Sequence, residues 1–154
     1  MHSTLTVTRS IALLLVGLYA GGLLFVVLAP SAGRLPGSAY VRHWQALNTD
    51  YGRVMPPMLL TSVLALIITT ALSGHRGALV FALSAGALVL VVLTIVLTVV
   101  VMDPLNRLAD SWDPDHLPPT WPEVRHRWAA LHLVRTLLAV AAFAGLTLTQ
   151  VIDH

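Results

Sequence analysis

The residues best suited to chemistry lie in one short stretch, Arg125-His-Arg-Trp128-Ala-Ala-Leu-His132-Leu-Val-Arg135. Steps of three, four and three separate Arg125, Trp128, His132 and Arg135, so on a helix all four stack along one face. At 1.5 Å per residue, Arg135 lies about 10 Å below Trp128. No charge follows it until Asp153. Histidine exchanges protons near neutral pH, and arginine holds an anionic oxygen. A face that carries both can take up a proton and stabilise the charge left behind. The bland reading is an arginine that snorkels to the headgroups and a histidine that caps a carbonyl, which leaves the shared face unexplained.

Partners for these groups occur at the same depth. Asp103-Pro104-Leu-Asn106-Arg107 follows a long apolar run, and Asp103, Asn106, Arg107 and Asp110 share a face if the helix resumes after Pro104. An acid at a helix C-terminus opposes the dipole, so Asp103 is expected to pair with Arg135 or Arg125. Upstream lie Tyr40, His43, Trp44, Gln45, Asn48, Asp50 and Tyr51. Trp44, Asn48 and Tyr51 are spaced i, i+4, i+7, which gives either a face turned to the site or an interfacial aromatic belt. The candidate catalytic residues are therefore His132, Arg135, Asp103 and Arg125. The candidate substrate-binding residues are Trp128, Asn106, Trp44, Asn48 and His43.

Two cofactor readings follow. His132, His43 and Asp103 could hold a single iron or copper ion in a two-histidine, one-carboxylate set. No H-x-x-x-H or H-E-x-x-H spacing supports that set, so a site without any cofactor stands beside it. Cysteine is absent, which removes thiolate metal sites and cysteine nucleophiles. There is no phosphate loop, dinucleotide fingerprint or serine elbow. The nine arginines are scattered among seven acids, unlike a nucleic-acid footprint.

The elements that must position these residues follow from composition. The 154-residue chain is 56% hydrophobic and 10% charged, against roughly 25% charge in soluble domains. Too few charges remain to cover a water-facing surface. The expected fold is all-α, a single-domain integral membrane four-helix bundle with two longer segments on one side. Spanning helices of about 20 residues are expected at 11–29, 57–72, 78–102 and 129–152, with ordered segments at 31–56 and 103–122. The β-branched run in the third span must still be helical, because an isolated strand in lipid leaves its backbone unpaired.

Local signals refine these elements. The first span exceeds a signal-peptide core and no A-x-A site follows, so it reads as a retained helix closed by Pro30. Ser73-Gly-His-Arg-Gly77 is a tight turn between antiparallel neighbours, and Pro56-Pro57 and Pro118-Pro119 mark helix and loop boundaries. Thr120-Trp-Pro-Glu123 has capping-box spacing with proline just inside, which starts the fourth helix near Trp121. Gly17-x-x-x-Gly21 fits close helix packing. Arg9 and Arg76, tight against the spans, place the termini in the cytoplasm of a bacterial membrane, although the raw arginine count favours the other side. The expected partners are the lipid bilayer and a hydrophobic small molecule, without nucleic acid, and a homo-oligomer is allowed.

Four spans, Asn48 upstream of Met55-Pro56, Pro104-Leu-Asn106 after span three and Trp128-x-x-x-His132-x-x-Arg135 opening span four together resemble the anthrone oxygenase family. The resemblance covers nearly the whole chain and matches Asn48, Pro104, Asn106, Trp128, His132 and Arg135 to the family's core. It implies an oxygenase that uses dioxygen as co-substrate on an anthrone-like or quinol-like aromatic. His132 would be the base, Arg135 or Arg125 would stabilise the anion, and Trp128 and Trp44 would stack on the flat substrate. Two other classes use the same residues. One is a non-catalytic binding or accessory protein that holds a lipid, quinone or partner subunit, and the other is a structural bundle.

Overall fold

The computed structural model describes residues 2–28 and 31–152. Ala29, Pro30 and Asp153, on which the expected end of span one and the last charge fall, lie outside the described residues. Helix α1 (His2–Leu28) is followed by a short 3-10 turn (Ala32–Arg34), α2 (Gly37–Ser73), α3 (Ala78–Val96), α4 (Asp103–Asp110) and α5 (Trp121–Ile152). A π-helical segment, Leu97–Met102, joins α3 to α4. Four helices are long and apolar enough to cross a membrane. They pack in a closed ring, with α1 on α2, α2 on α3, α3 on α5 and α5 on α1.

The bundle is built for lipid on its outside. Leu14, Leu18, Phe25, Leu60, Leu64, Val100, Leu137 and Val151 are exposed, whereas Ala12, Ala65, Ala87, Ala139 and Ala142 are buried. Small residues let backbones approach where lipid tails provide no hydrophobic drive between helices. Buried hydroxyls satisfy themselves locally: Ser62 donates to the Met58 carbonyl, Ser84 to that of Val80 and Thr136 to that of His132. Ser73 and Ser84 also meet at 3.3 Å across α2 and α3. The turn between those helices needs Gly77, whose φ of 115° disfavours any side chain.

Two expectations about boundaries change. Residues 31–56 are not a separate segment ahead of span two, because α2 runs unbroken for 37 residues through Pro56 and Pro57. At 1.5 Å per residue α2 is about 55 Å long, well beyond the roughly 30 Å hydrocarbon layer. Its first turns therefore stand in the interface with Arg42, Gln45 and Asn48. Span three likewise does not stop at Met102. The π segment lies directly before Pro104, whose ring would clash with the Val100 carbonyl in a regular α-helix. Widening the turn lets Asp103 N–H reach the Thr98 carbonyl five residues back, and the helix continues to Asp110.

The fourth helix begins at Trp121, with the Thr120 carbonyl accepting the Val124 N–H at 3.3 Å. Residues 111–120 form the ordered, proline-rich connection. Its end is packed against the start of α2, since a Cβ on Gly37 would lie 2.8 Å from the Trp121 ring and 3.0 Å from Leu117.

Candidate functional site

The polar residues within the bundle form two connected layers. The upper one lies at the level of α4. Asn106 Oδ1 accepts the Trp128 indole N–H at 2.9 Å and the Trp44 indole N–H at 3.2 Å, so one amide oxygen ties α2, α4 and α5 together. Gln45 Nε2 donates to the carbonyls of Ala109 and Trp112, and Asn48 Nδ2 donates to Asp110. The helix that resumes after Pro104 turns Asn106 inward while leaving Arg107 at the surface.

Aromatic rings fill the rest of that layer. Trp44 is buried and lies 5.2 Å from Trp128, 6.1 Å from Tyr40 and 6.2 Å from Trp112, centroid to centroid. Trp128 stacks on the His132 imidazole at 5.0 Å and 11°. The tryptophans thus cover one another and His132, and Trp44 has no open face for a ligand to stack on.

The lower layer lies inside the membrane. His132 is buried, and its Nε2 contacts the Leu23 carbonyl at 3.1 Å. Its Nδ1 lies 2.9 Å from an Arg135 guanidinium nitrogen. A carbonyl only accepts and a guanidinium only donates. Those partners fix the ring as the neutral tautomer with its proton on Nε2 and its lone pair on Nδ1. Arg135 also donates to the Thr98 hydroxyl at 3.2 Å, on the π segment. The Thr98 hydroxyl in turn donates to the Thr94 carbonyl. Among the described residues Arg135 forms no ion pair with an acid, and its buried Nε–H has no partner. An uncompensated cation at this depth costs at least about 2.5–3.5 kcal/mol.

The other expected site residues are placed elsewhere. Asp103 pairs with neither Arg135 nor Arg125. It bonds Arg107 at 2.7 Å, one turn on, because the helix that continues past Pro104 brings that partner within reach. Arg125 donates to the Gly33 carbonyl and lies 4.4 Å over the Tyr40 ring, ten residues up the helix from Arg135. It fastens the 3-10 turn to the mouth of the bundle. His43 is exposed on α2. His132, His43 and Asp103 are consequently not gathered around one point, and among the described residues no three of His, Asp and Glu could hold an ion. That donor set does not fit a metal.

Three contributors to the lower layer have no strong mark in the sequence: the Leu23 carbonyl, Thr98 and Tyr19. Tyr19 is buried one turn from Leu23 on α1, and its hydroxyl has no partner among the described residues. Within the Gly17-to-Gly21 pattern it reads as packing. Outside the bundle, an apolar groove of about 570 Å³ runs along α1 beside Gly17, Gly21 and Phe143. It contains none of these polar residues and faces lipid.

No curated protein and no solved structure matches the chain. A family model described as anthrone oxygenase matches residues 44–145 of the 154. The matched stretch holds Trp44, Asn106, Trp128, His132 and Arg135, whereas Tyr40 of the upper layer and the α1 contribution lie ahead of it. The match spans more than half of the sequence, and the chain belongs to the anthrone oxygenase family.

Proposed function

We infer that this protein is a membrane oxygenase that oxidises an anthrone-like or quinol-like aromatic with dioxygen. The observation that carries this reading is Arg135, a guanidinium inside the bundle that is held by a hydroxyl and a neutral imidazole rather than by a carboxylate. A positive charge kept there without a counter-ion among the described residues suits an oxyanion that forms during reaction, and the low dielectric strengthens that contact.

The chemistry follows from the substrate class. Removing a proton from the methylene of an anthrone leaves a delocalised enolate, with its charge on the ketone oxygen. Arg135 leaves His132 Nδ1 to bind that oxygen, and the freed Nδ1 lone pair takes the proton. The electron-rich carbon bonds to dioxygen, and the peroxide so formed takes the proton back from His132 Nδ1 to give a hydroperoxide. Loss of the second hydrogen and cleavage of the O–O bond leave one oxygen atom in the new carbonyl and the other in water. Trp128, stacked on His132, keeps the imidazole in plane and closes the site toward the interface.

A second reading has its own support. Both nitrogens of His132 are already bonded, which suits a protein that holds an anionic ligand without transforming it. Oxygen uptake by the purified protein in detergent, with dithranol as probe, separates the two. The oxygenase reading expects uptake well above the protein-free rate, one dioxygen per quinone formed, and at least a hundredfold loss in Arg135→Gln. Saturable binding with no added uptake would leave the accessory reading.

A further inference from the structure

Tyr19 lies in α1, ahead of the family-matched residues 44–145, and its burial is not explained by packing alone. Its side chain is 3% exposed in a small cluster with Ala20, Leu23 and Ala139, with Met55 and Met58 against it. A phenol so placed normally bonds to something, yet this hydroxyl has no partner among the described residues. The second buried donor without a partner in this region is Nε of Arg135.

Helix geometry brings these two donors to one level. His132 meets the Leu23 carbonyl, which pins α5 to α1 at that height. The two helices run in opposite directions. Three residues on from His132 along α5 is a descent of about 4.5 Å to Arg135, and four residues back from Leu23 along α1 is a descent of about 6 Å to Tyr19. The Cα atoms of Arg135 and Tyr19 therefore both lie within two turns below the same pin. Tyr19 shares its buried cluster with Ala139, one turn along α5 from Arg135.

We propose that the Tyr19 hydroxyl is the second donor of the Arg135 site, and that the pair selects lipid-soluble ligands that present an oxygen to both. Tyr19 gives a ligand oxygen its O–H while Arg135 supplies charge and N–H. Such a pair rejects a hydrocarbon of the same shape, because binding it would leave two buried donors without acceptors. This inference rests on the reading that the Arg135 level holds a ligand oxygen.

The test uses the full-length protein in detergent under argon and reads quenching of tryptophan fluorescence. The probes are dithranol, which carries the oxygens, and anthracene, which has the same ring outline and none. Y19F removes a hydroxyl that bonds nothing in the bundle, so its melting temperature should hold or rise. Its dithranol affinity should fall about tenfold, as expected for one lost hydrogen bond in a buried site, and its anthracene affinity should hold or rise, because one unpaired donor is gone. Equal weakening for both probes would reduce Tyr19 to a wall of the cavity and overturn the proposal. Unchanged dithranol binding in Y19F, with weakened binding in R135Q, would overturn the role of Tyr19 and keep the Arg135 reading. Unchanged binding in both variants would overturn the two together.

Discussion

Arg135 donates to Nδ1 of His132, three residues earlier on the same helix, at 2.9 Å. The imidazole passes its own Nε2–H across to the Leu23 carbonyl on α1. A cation inside the membrane is thus held by a neutral ring that is itself oriented by a backbone oxygen. This relay fixes the tautomer without any carboxylate. Nitrogen NMR of histidine-labelled protein at neutral pH should show His132 with a protonated Nε2 and a bare Nδ1. A doubly protonated ring would place two cations in contact and rule out the relay.

Arg135→Met should separate function from stability. The substitution removes a charge that costs at least about 2.5–3.5 kcal/mol at hydrocarbon depth. It also forfeits the charge-assisted bonds to His132 and Thr98, worth about 1.5–3 kcal/mol each. The two contributions are of similar size and opposite sign, so the melting temperature in detergent should change little while dithranol oxidation is lost. A marked fall in melting temperature would instead assign Arg135 to the structural framework.

Asn106 is the joint of the upper layer, since its single amide oxygen serves two indoles on two helices. Asn106→Ala leaves both N–H groups without an acceptor in a half-buried setting and should cost about 2 kcal/mol. The same variant should change tryptophan emission, because Trp44 and Trp128 lose the contact that fixes their tilt. Trp128→Phe removes only one of the two bonds and should cost about half as much. Equal melting temperatures for Asn106→Ala and the unchanged protein would mean that the ring packing alone sets the layer.

The spacing of Trp128, His132 and Arg135 was legible because side-chain period on a helix is a local property, and the structure places His132 in contact with both of the others. Depth and cross-helix partners were less so. Arg125 shares the face but lies too far up the helix, where the Gly33 carbonyl and the Tyr40 ring take it. Asp103 had a local partner in Arg107 that depended on the helix surviving Pro104. The Leu23 carbonyl is a backbone atom and leaves no mark in a sequence. Pro56-Pro57 reads as a boundary in water. Within the bundle, packing on both neighbours and apolar surroundings keep the helix intact through it.

The loop that roofs the site should loosen on both sides of a pH window. His116 Nδ1 and Asp113 Oδ2 lie 2.8 Å apart, and Arg42 reaches Asp115 at 2.6 Å. The hydrogen bond to Asp113, and then its charge, raise the His116 pKa above the ordinary 6.5. The Asp115 N–H, and then His116, hold Asp113 below the ordinary 3.8. A raised histidine pKa contributes stability that is full below the unfolded value and is lost as pH rises through the folded one. A depressed carboxylate pKa contributes above its unfolded value and is lost as pH falls through the folded one. The pair therefore anchors residues 111–120 best between those two ordinary values, from 3.8 to 6.5. Amide exchange in that stretch, corrected for intrinsic rates, should quicken as pH rises beyond the upper value. Both groups are solvent-exposed, so the change should be small and should shrink with added salt. His116→Gln should flatten the profile over that range, and an unchanged rise in the variant would assign the pH response to another group.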